Sequence, residues 1–382
     1  MALGIVCTIV GVVLEMGHDH GHHLPQRLSG NLLINSFFFF GIAIASLFFL
    51  ALKYATETAW YVAIKRVIEG VAGFLPFGVG LLLITFAYIT LNDGAHIYLW
   101  MDEEIVKHDE IIQGKAFYLS KTFFWIRTLV YVTIYLLYYW GFRKRSLLED
   151  QVGGTELHYK NYKKGATFLV FFAVFSSTSA WDWIMSIDVH WFSTLFGWYV
   201  FSGMWCTAMI VMVILTLYLK RLGHLERVNE NHIHDIGKWV FAISFLWSYL
   251  WFSQFMLIWF ANIPEETTYF VTRIAHFKVL YFGMFLINFV FPMVLLMSRD
   301  AKRHSGLLIF VGLIVFFGHW MDTYIMVMGG SMGENASIGF MEIGLLLLIL
   351  GLFVRVILTS LTKAPLDVKN HPYLEESIHH EV

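Results

Sequence analysis

Residues 32–52 run without a charged side chain, from Leu32 through Phe37-Phe38-Phe39-Phe40 to Leu52. About 20 apolar residues cross a bilayer core, and a helix there satisfies its own backbone. Comparable windows recur along the chain. The ten candidate spans are about 1–16, 32–52, 68–90, 122–142, 166–186, 196–219, 238–262, 279–298, 306–327 and 338–360. They are continuous runs, not alternating ten-residue strands, which excludes a barrel. The reading is an all-α polytopic membrane protein with about ten transmembrane helices. Of 382 residues, 58% are hydrophobic and 14% charged, where soluble chains carry about 25% charged. That excludes disorder, a nucleic-acid partner and an ordinary soluble enzyme. Pro76 inside the third span removes a backbone donor and predicts a kink. The first span is short. It lacks the basic start and small-residue cleavage site of a signal peptide, so it reads as a span that begins upstream of Met1.

Lysine and arginine set the direction. The loops after spans 2, 4, 6 and 8, together with the tail, hold eighteen of them, including Lys65, Arg66, Arg143, Lys144, Arg145, Arg299 and Lys302. The other side holds Arg27, Lys107, Lys115, Lys121, Arg273 and Lys278. Both termini are therefore expected in the cytoplasm. Residues 1–364 form one transmembrane domain, and 365–382 form a polar cytoplasmic tail bound to the surface or mobile.

An ionisable side chain inside a bilayer is a functional candidate by default. Span 5 carries Asp182, then Asp188 and His190 at its outer end. Span 9 carries His319 and Asp322, which share a face at i, i+3. Span 10 carries Glu342 in its first turns. These acids and imidazoles gather toward the outer side on helices able to converge, as a proton-release path requires. The alternative is helix–helix hydrogen bonding or simple wetting at the interface. On the inner side, Glu69 with Lys65 and Arg66 either opens a half-channel or pairs with Arg66 one turn away. Arg127 and Arg355 read as snorkelling side chains.

The loop after span 1 carries His18, Asp19, His20, His22 and His23, a weak metal-binding tract without fixed geometry. Cys7 and Cys206 are too few for a thiolate site, and no CxxCH is present for covalent haem. Tryptophans cluster at 181, 183, 191, 198 and 205 and again at 239, 247, 251 and 259. They suit interfacial belts, ordinary packing, or an aromatic wall for a quinone ring or lipid. Gly283, Gly306, Gly312 and Gly318 are positions where helices could approach closely.

The stretch Ala180-Trp-Asp-Trp-Ile-Met-Ser-Ile-Asp-Val-His-Trp-Phe-Ser-Thr-Leu-Phe-Gly197, followed by Trp259-Phe-Ala-Asn-Ile-Pro-Glu-Glu-Thr267, resembles the NrfD/PsrC-like membrane subunits. Within them it is most similar to the smaller of the two such subunits of bacterial alternative complex III. The resemblance covers essentially the whole chain. It implies two four-helix bundles, near 32–186 and 196–327, flanked by spans 1 and 10. It implies a place in the bacterial inner membrane, in a complex that oxidises quinol, here menaquinol. Electrons would pass outward through an iron–sulfur subunit and c-type cytochrome subunits, toward an acceptor such as a terminal oxidase. A paralogous NrfD-like subunit and membrane lipid complete the implied partners. The iron–sulfur clusters and c-type haems belong to those partners, and this chain is expected to bind no redox metal.

Three functions compete. In the first, the chain is a scaffold and proton-path subunit, with Asp182, Asp188, His190, His319, Asp322, Glu342 and Glu69 as relay candidates. In the second it binds quinone directly, with Asp93, His96 or Asp182 accepting the quinol proton beside Trp183. In the third it is a secondary ion transporter. Transporters favour paired broken helices and midplane ions, whereas this sequence shows no matched pair of broken spans and its acids are skewed outward.

Overall fold

The computed structural model describes residues 1–17 and 23–381, except the side chain of Asp93. Among the described residues there is no strand. Nine helices among those residues are long and apolar enough to cross a membrane, and Ala2–Gly17 is a shorter apolar helix. In chain order, α1 is Ala2–Gly17, α2 Leu24–Ala55, α3 the helical run Trp60–Leu91, α4 Lys121–Val152 and α5 Glu156–Trp183. Then α6 is Phe196–Arg221, α7 Glu230–Ala261, α8 the run Pro264–Leu295, α9 Ser305–Ser331 and α10 Phe340–Thr362. The chain is thus a multi-pass, all-α membrane protein. Helices α2, α4 and α7 have 32 residues each, or about 48 Å at 1.5 Å per residue. They outrun the hydrocarbon core, which is why their polar first and last turns fell outside the apolar windows.

Helices α2 to α5 close a ring: α2 packs on α3 and α5, α3 on α4, and α4 on α5. Helices α6 to α9 close a second ring in the same order. The rings meet where α6 lies against α2 and α5, and α9 against α2. Helix α2 is therefore the hub. It is buried nearly end to end, and Phe37, Phe39, Phe40 and Phe49 are almost without exposure. Its polar residues are tied to neighbours. The Asn31 amide donates to Glu342 of α10 (2.8 Å), and the Trp320 indole of α9 donates to Asn35 (3.1 Å).

Helix α1 packs antiparallel on α10. Gly4 faces Leu348, Gly11 faces Met341, Gly344 faces Thr8 and Gly351 faces Met1. Each facing pair sums to 352, so one register runs along the whole contact. A Cβ at any of the four glycines would meet the other helix closer than side chains ever approach. The sequence singled out other glycines. Of those, Gly318 and Gly312 do sit against a neighbouring helix, while a Cβ at Gly283 meets nothing and one at Gly306 meets only His304 two residues before it.

Two spans are interrupted. In α3, Lys65–Ala72 and Leu75–Leu91 are separated at Gly73 and Phe74, with Pro76 in the first turn of the second piece. The predicted kink is present, just before the proline. In α8, Phe277 leaves helical geometry (φ −122°, ψ 20°), and Leu286–Val290 forms a π-turn ahead of Pro292. Pro292 has no N–H, and its ring crowds the carbonyl four residues earlier. These are the second helix of one ring and the third of the other, so they are not a matched pair.

Four loops and the tail meet at the basic end. Asp150 accepts from the Lys369 amide (3.0 Å), Arg227 donates to the Val368 carbonyl (3.1 Å), and the His380 ring bonds Asp235 (2.8 Å). The Ser377 hydroxyl is buried, donating to the Trp60 carbonyl and accepting from the Ala63 amide. The tail is surface-bound and crosses from one ring to the other.

Candidate functional site

The π-turn in α8 sets up the first site. It turns the Asn288 side chain toward α9, where Gly318 leaves room for it. Asn288 Nδ2 lies 3.4 Å from His319 Nδ1. One turn on, the Asp322 carboxylate is 3% exposed. It accepts from the Tyr199 hydroxyl of α6 and from the Trp247 indole of α7 (3.0 Å). Asn288, His319, Asp322, Tyr199 and Trp247 thus join all four helices of the second ring. Where the rings meet, a void of about 20 Å³ is lined by Phe37, Phe38, Gly203, His319 and Asp322, among others. That is room for about one water. His319 Nε2 is buried without a partner among the described residues.

Asp322 differs from the other buried acids of the spans. Asp182, Glu342, Glu69 and Glu149 each contact arginine or lysine, and no Arg, Lys or His ion pair to Asp322 occurs among the described residues. A buried carboxylate held by neutral donors, next to an imidazole and a water-sized void, has the parts needed for proton exchange.

The other sequence candidates lie elsewhere. Arg127 was expected to snorkel. It is instead buried in the first ring and grips Asp182 with two bonds, Nε to Oδ2 at 2.7 Å and Nη2 to Oδ1 at 2.9 Å. Tyr131 also donates to Asp182 (3.1 Å), and the guanidinium stacks on Tyr118 and Phe123. Register explains the pairing: the second turn of α4 is level with the last turn of α5. Asp188 accepts from Arg273 at 2.8 Å, and Glu342 binds Arg27 at 2.8 and 2.9 Å. His190 is half exposed and bonds Asp109 at 2.6 Å. These acids therefore do not converge; Asp182, Asp188 and Glu342 each close their own local pair. At the basic end Glu69 pairs with Arg66 (2.5 Å), as the i, i+3 spacing suggested, and also with Arg143, while Arg66 reaches Asp150. Arg355 is exposed, bordering a cleft with Arg143 and Lys363.

Of the quinone candidates, Trp183 is fully buried and its indole donates to Thr128 (3.0 Å). His96 adopts a left-handed backbone (φ 39°) and borders a polar cleft of about 340 Å³ with Asp102, Glu104 and Lys121. The Asp93 side chain lies outside the described ones. Two of the clustered tryptophans, Trp181 and Trp191, line one aromatic surface. It is a cavity of about 400 Å³ lined by Phe117, Tyr118, Trp181, Met185, Trp191 and Phe192, with Ser186 and Lys115. Neither Asp182 nor Trp183 lines it. Burial pushes the Lys115 ammonium below its usual range and the Tyr118 phenol above its own. Its residues come from 114–119, from the last turn of α5 and from the segment 185–192 after it, and only the fold brings these together.

His18, His20 and His22 lie outside the described residues, and His23 precedes α2. Lys53 lies in the last turn of α2. It is buried, with its ammonium 4.9, 4.8 and 4.9 Å from the ring centres of Phe49, Trp60 and Trp239. No protein-family model matches the chain, and no curated protein matches it.

Proposed function

We propose that this chain is an integral membrane subunit of a quinol-oxidising respiratory complex, of the kind represented by the ActF subunit of alternative complex III. In this reading it is a scaffold that also carries protons, and it takes no part in electron transfer itself. It sits in the bacterial inner membrane with its basic end and tail in the cytoplasm, as the distribution of lysine and arginine suggests. Menaquinol is the electron donor. The iron–sulfur clusters and c-type haems reside in partner subunits, beside a paralogous membrane subunit.

The observation that supports a proton role best is Asp322, buried between Tyr199 and Trp247 and next to His319, with no counter-charge bonded to it among the described residues. Asp322→Asn keeps the shape and one acceptor oxygen, for the Trp247 indole, while its amide N–H can donate to the Tyr199 oxygen, but it cannot exchange a proton. In the purified complex it is expected to lower proton release per electron while subunit content stays unchanged. Unaltered proton stoichiometry would remove Asp322 from any path.

A second reading, direct quinone binding, is favoured by the aromatic cavity at Tyr118, Trp181 and Trp191. Its size and apolar walls suit a ring with few polar contacts. A photoreactive quinone should then label this chain at those residues. Labelling confined to the paralogous subunit would exclude it.

A further inference from the structure

Three separate segments bring ligating side chains together at the basic end. Glu149 comes from the last turn of α4, His158 from the first turn of α5, and His371 from the tail. All three are buried, at 0%, 2% and 4% exposure. One ligand atom from each lies within 4.8 Å of the others. Glu149 Oε1, both ring nitrogens of His158 and His371 Nε2 have no hydrogen-bond partner among the described residues. Buried polar atoms are nearly always satisfied, and a cluster of orphans points to a missing occupant.

We infer that Glu149, His158 and His371 form a binding site for a divalent metal ion of the Zn²⁺ type. Two imidazoles and one carboxylate are a known zinc ligand set, with water as the fourth ligand. Tetrahedral bonds of about 2.0–2.1 Å put ligand atoms about 3.4 Å apart, so the three need to close by little more than 1 Å. The surroundings resemble an outer ligand shell. Lys65 holds Glu149 Oε2 at 2.7 Å and leaves Oε1 free. Glu57 Oε1 lies 3.8 Å from His158 Nε2, which leaves Nδ1 of that ring for the ion.

Two features oppose the ion, and both are local. The Lys65 ammonium adds positive charge, offset by Glu149 and Glu57. His371 Nδ1 accepts from the Tyr373 amide at 3.2 Å, so coordination through Nε2 needs the other tautomer and gives up that long contact. The ion's role would be to fasten the tail to the first ring. The adjacent Lys369 and Asn370 already bond Asp150 there.

The test uses the full chain with His18, His20, His22 and His23 changed to serine, so that this tract contributes no zinc. The protein is stripped with chelator, given Zn²⁺, desalted, and measured for metal by mass spectrometry. The expected result is about one zinc per chain, lost in both His158→Ala and His371→Ala while their elution profiles stay monodisperse. Zinc retained equally by the variants, or none retained by the parent, overturns the assignment and leaves water as the occupant. If the variants fail to fold, Co²⁺ added to the stripped parent decides. An intense visible spectrum of tetrahedral type, with slower proteolysis of the tail, supports the site. Its absence refutes it.

Discussion

Arg127 and Asp182 face each other across the first ring, guanidinium to carboxylate, through two bonds of 2.7 and 2.9 Å. The side chains are 10% and 0% exposed. Each would be costly alone in this environment, and each removes the cost of the other. Asp182 was a leading candidate for both proton transfer and quinone contact, and this geometry assigns it to structure first.

Removing one partner of such a pair costs about 3–5 kcal/mol, because a buried charge is left unmatched. Asp182→Asn is therefore expected to lower the thermal midpoint and the yield of the purified protein. Adding Arg127→Met in the same chain should recover much of the loss. A double variant no better than the single would show that the two side chains are not coupled.

The α1–α10 contact depends on absent side chains. Gly11→Leu or Gly344→Leu inserts atoms where the facing backbone already lies. Overpacking of this kind costs about 1–3 kcal/mol. Disulfide formation between the native Cys7 and Leu345→Cys, a pair that also sums to 352, should fall in the Gly11→Leu background. Gly80→Leu serves as a control, since a Cβ there meets nothing within 4 Å. Equal crosslinking in both would contradict the register.

Asp109 caps the short helix Glu110–Lys115, accepting from the Ile111 and Ile112 amides at 3.0 and 3.1 Å. The Ile112 amide first, and then His190, hold its carboxyl below the usual carboxylate range. A folded value below the unfolded one gives stability that is present above about pH 4 and lost as pH falls through the folded value. Amide exchange over 110–115 should accelerate, beyond its intrinsic pH dependence, on acidification below that point. Asp109→Asn keeps the cap without the charge and should abolish the effect; an unchanged pH profile in that variant would count against it.

The long apolar helices and the break at Pro76 were legible in the sequence, because bilayer energetics and proline chemistry act within one segment. The pairings were not. Arg127 meets Asp182 only through the register of α4 on α5, and Asn288 reaches His319 only because Pro292 forces a π-turn that Gly318 accommodates. The i, i+3 spacing of His319 and Asp322 marked a shared face but not that Tyr199 and Trp247 would fill it. His371 falls in the polar tail, expected to be surface-bound or mobile, and only the folded chain shows it buried beside Glu149 and His158.

The most direct test of the proposed function is a mild-detergent purification through a tag after the tail, followed by mass spectrometry and a dithionite-reduced spectrum. Co-purified iron–sulfur and c-type cytochrome subunits, with haem bands near stoichiometric amounts, are the predicted result. A protein that purifies alone or only with itself, without haem, would contradict membership in a quinol-oxidising complex and turn attention to ion flux.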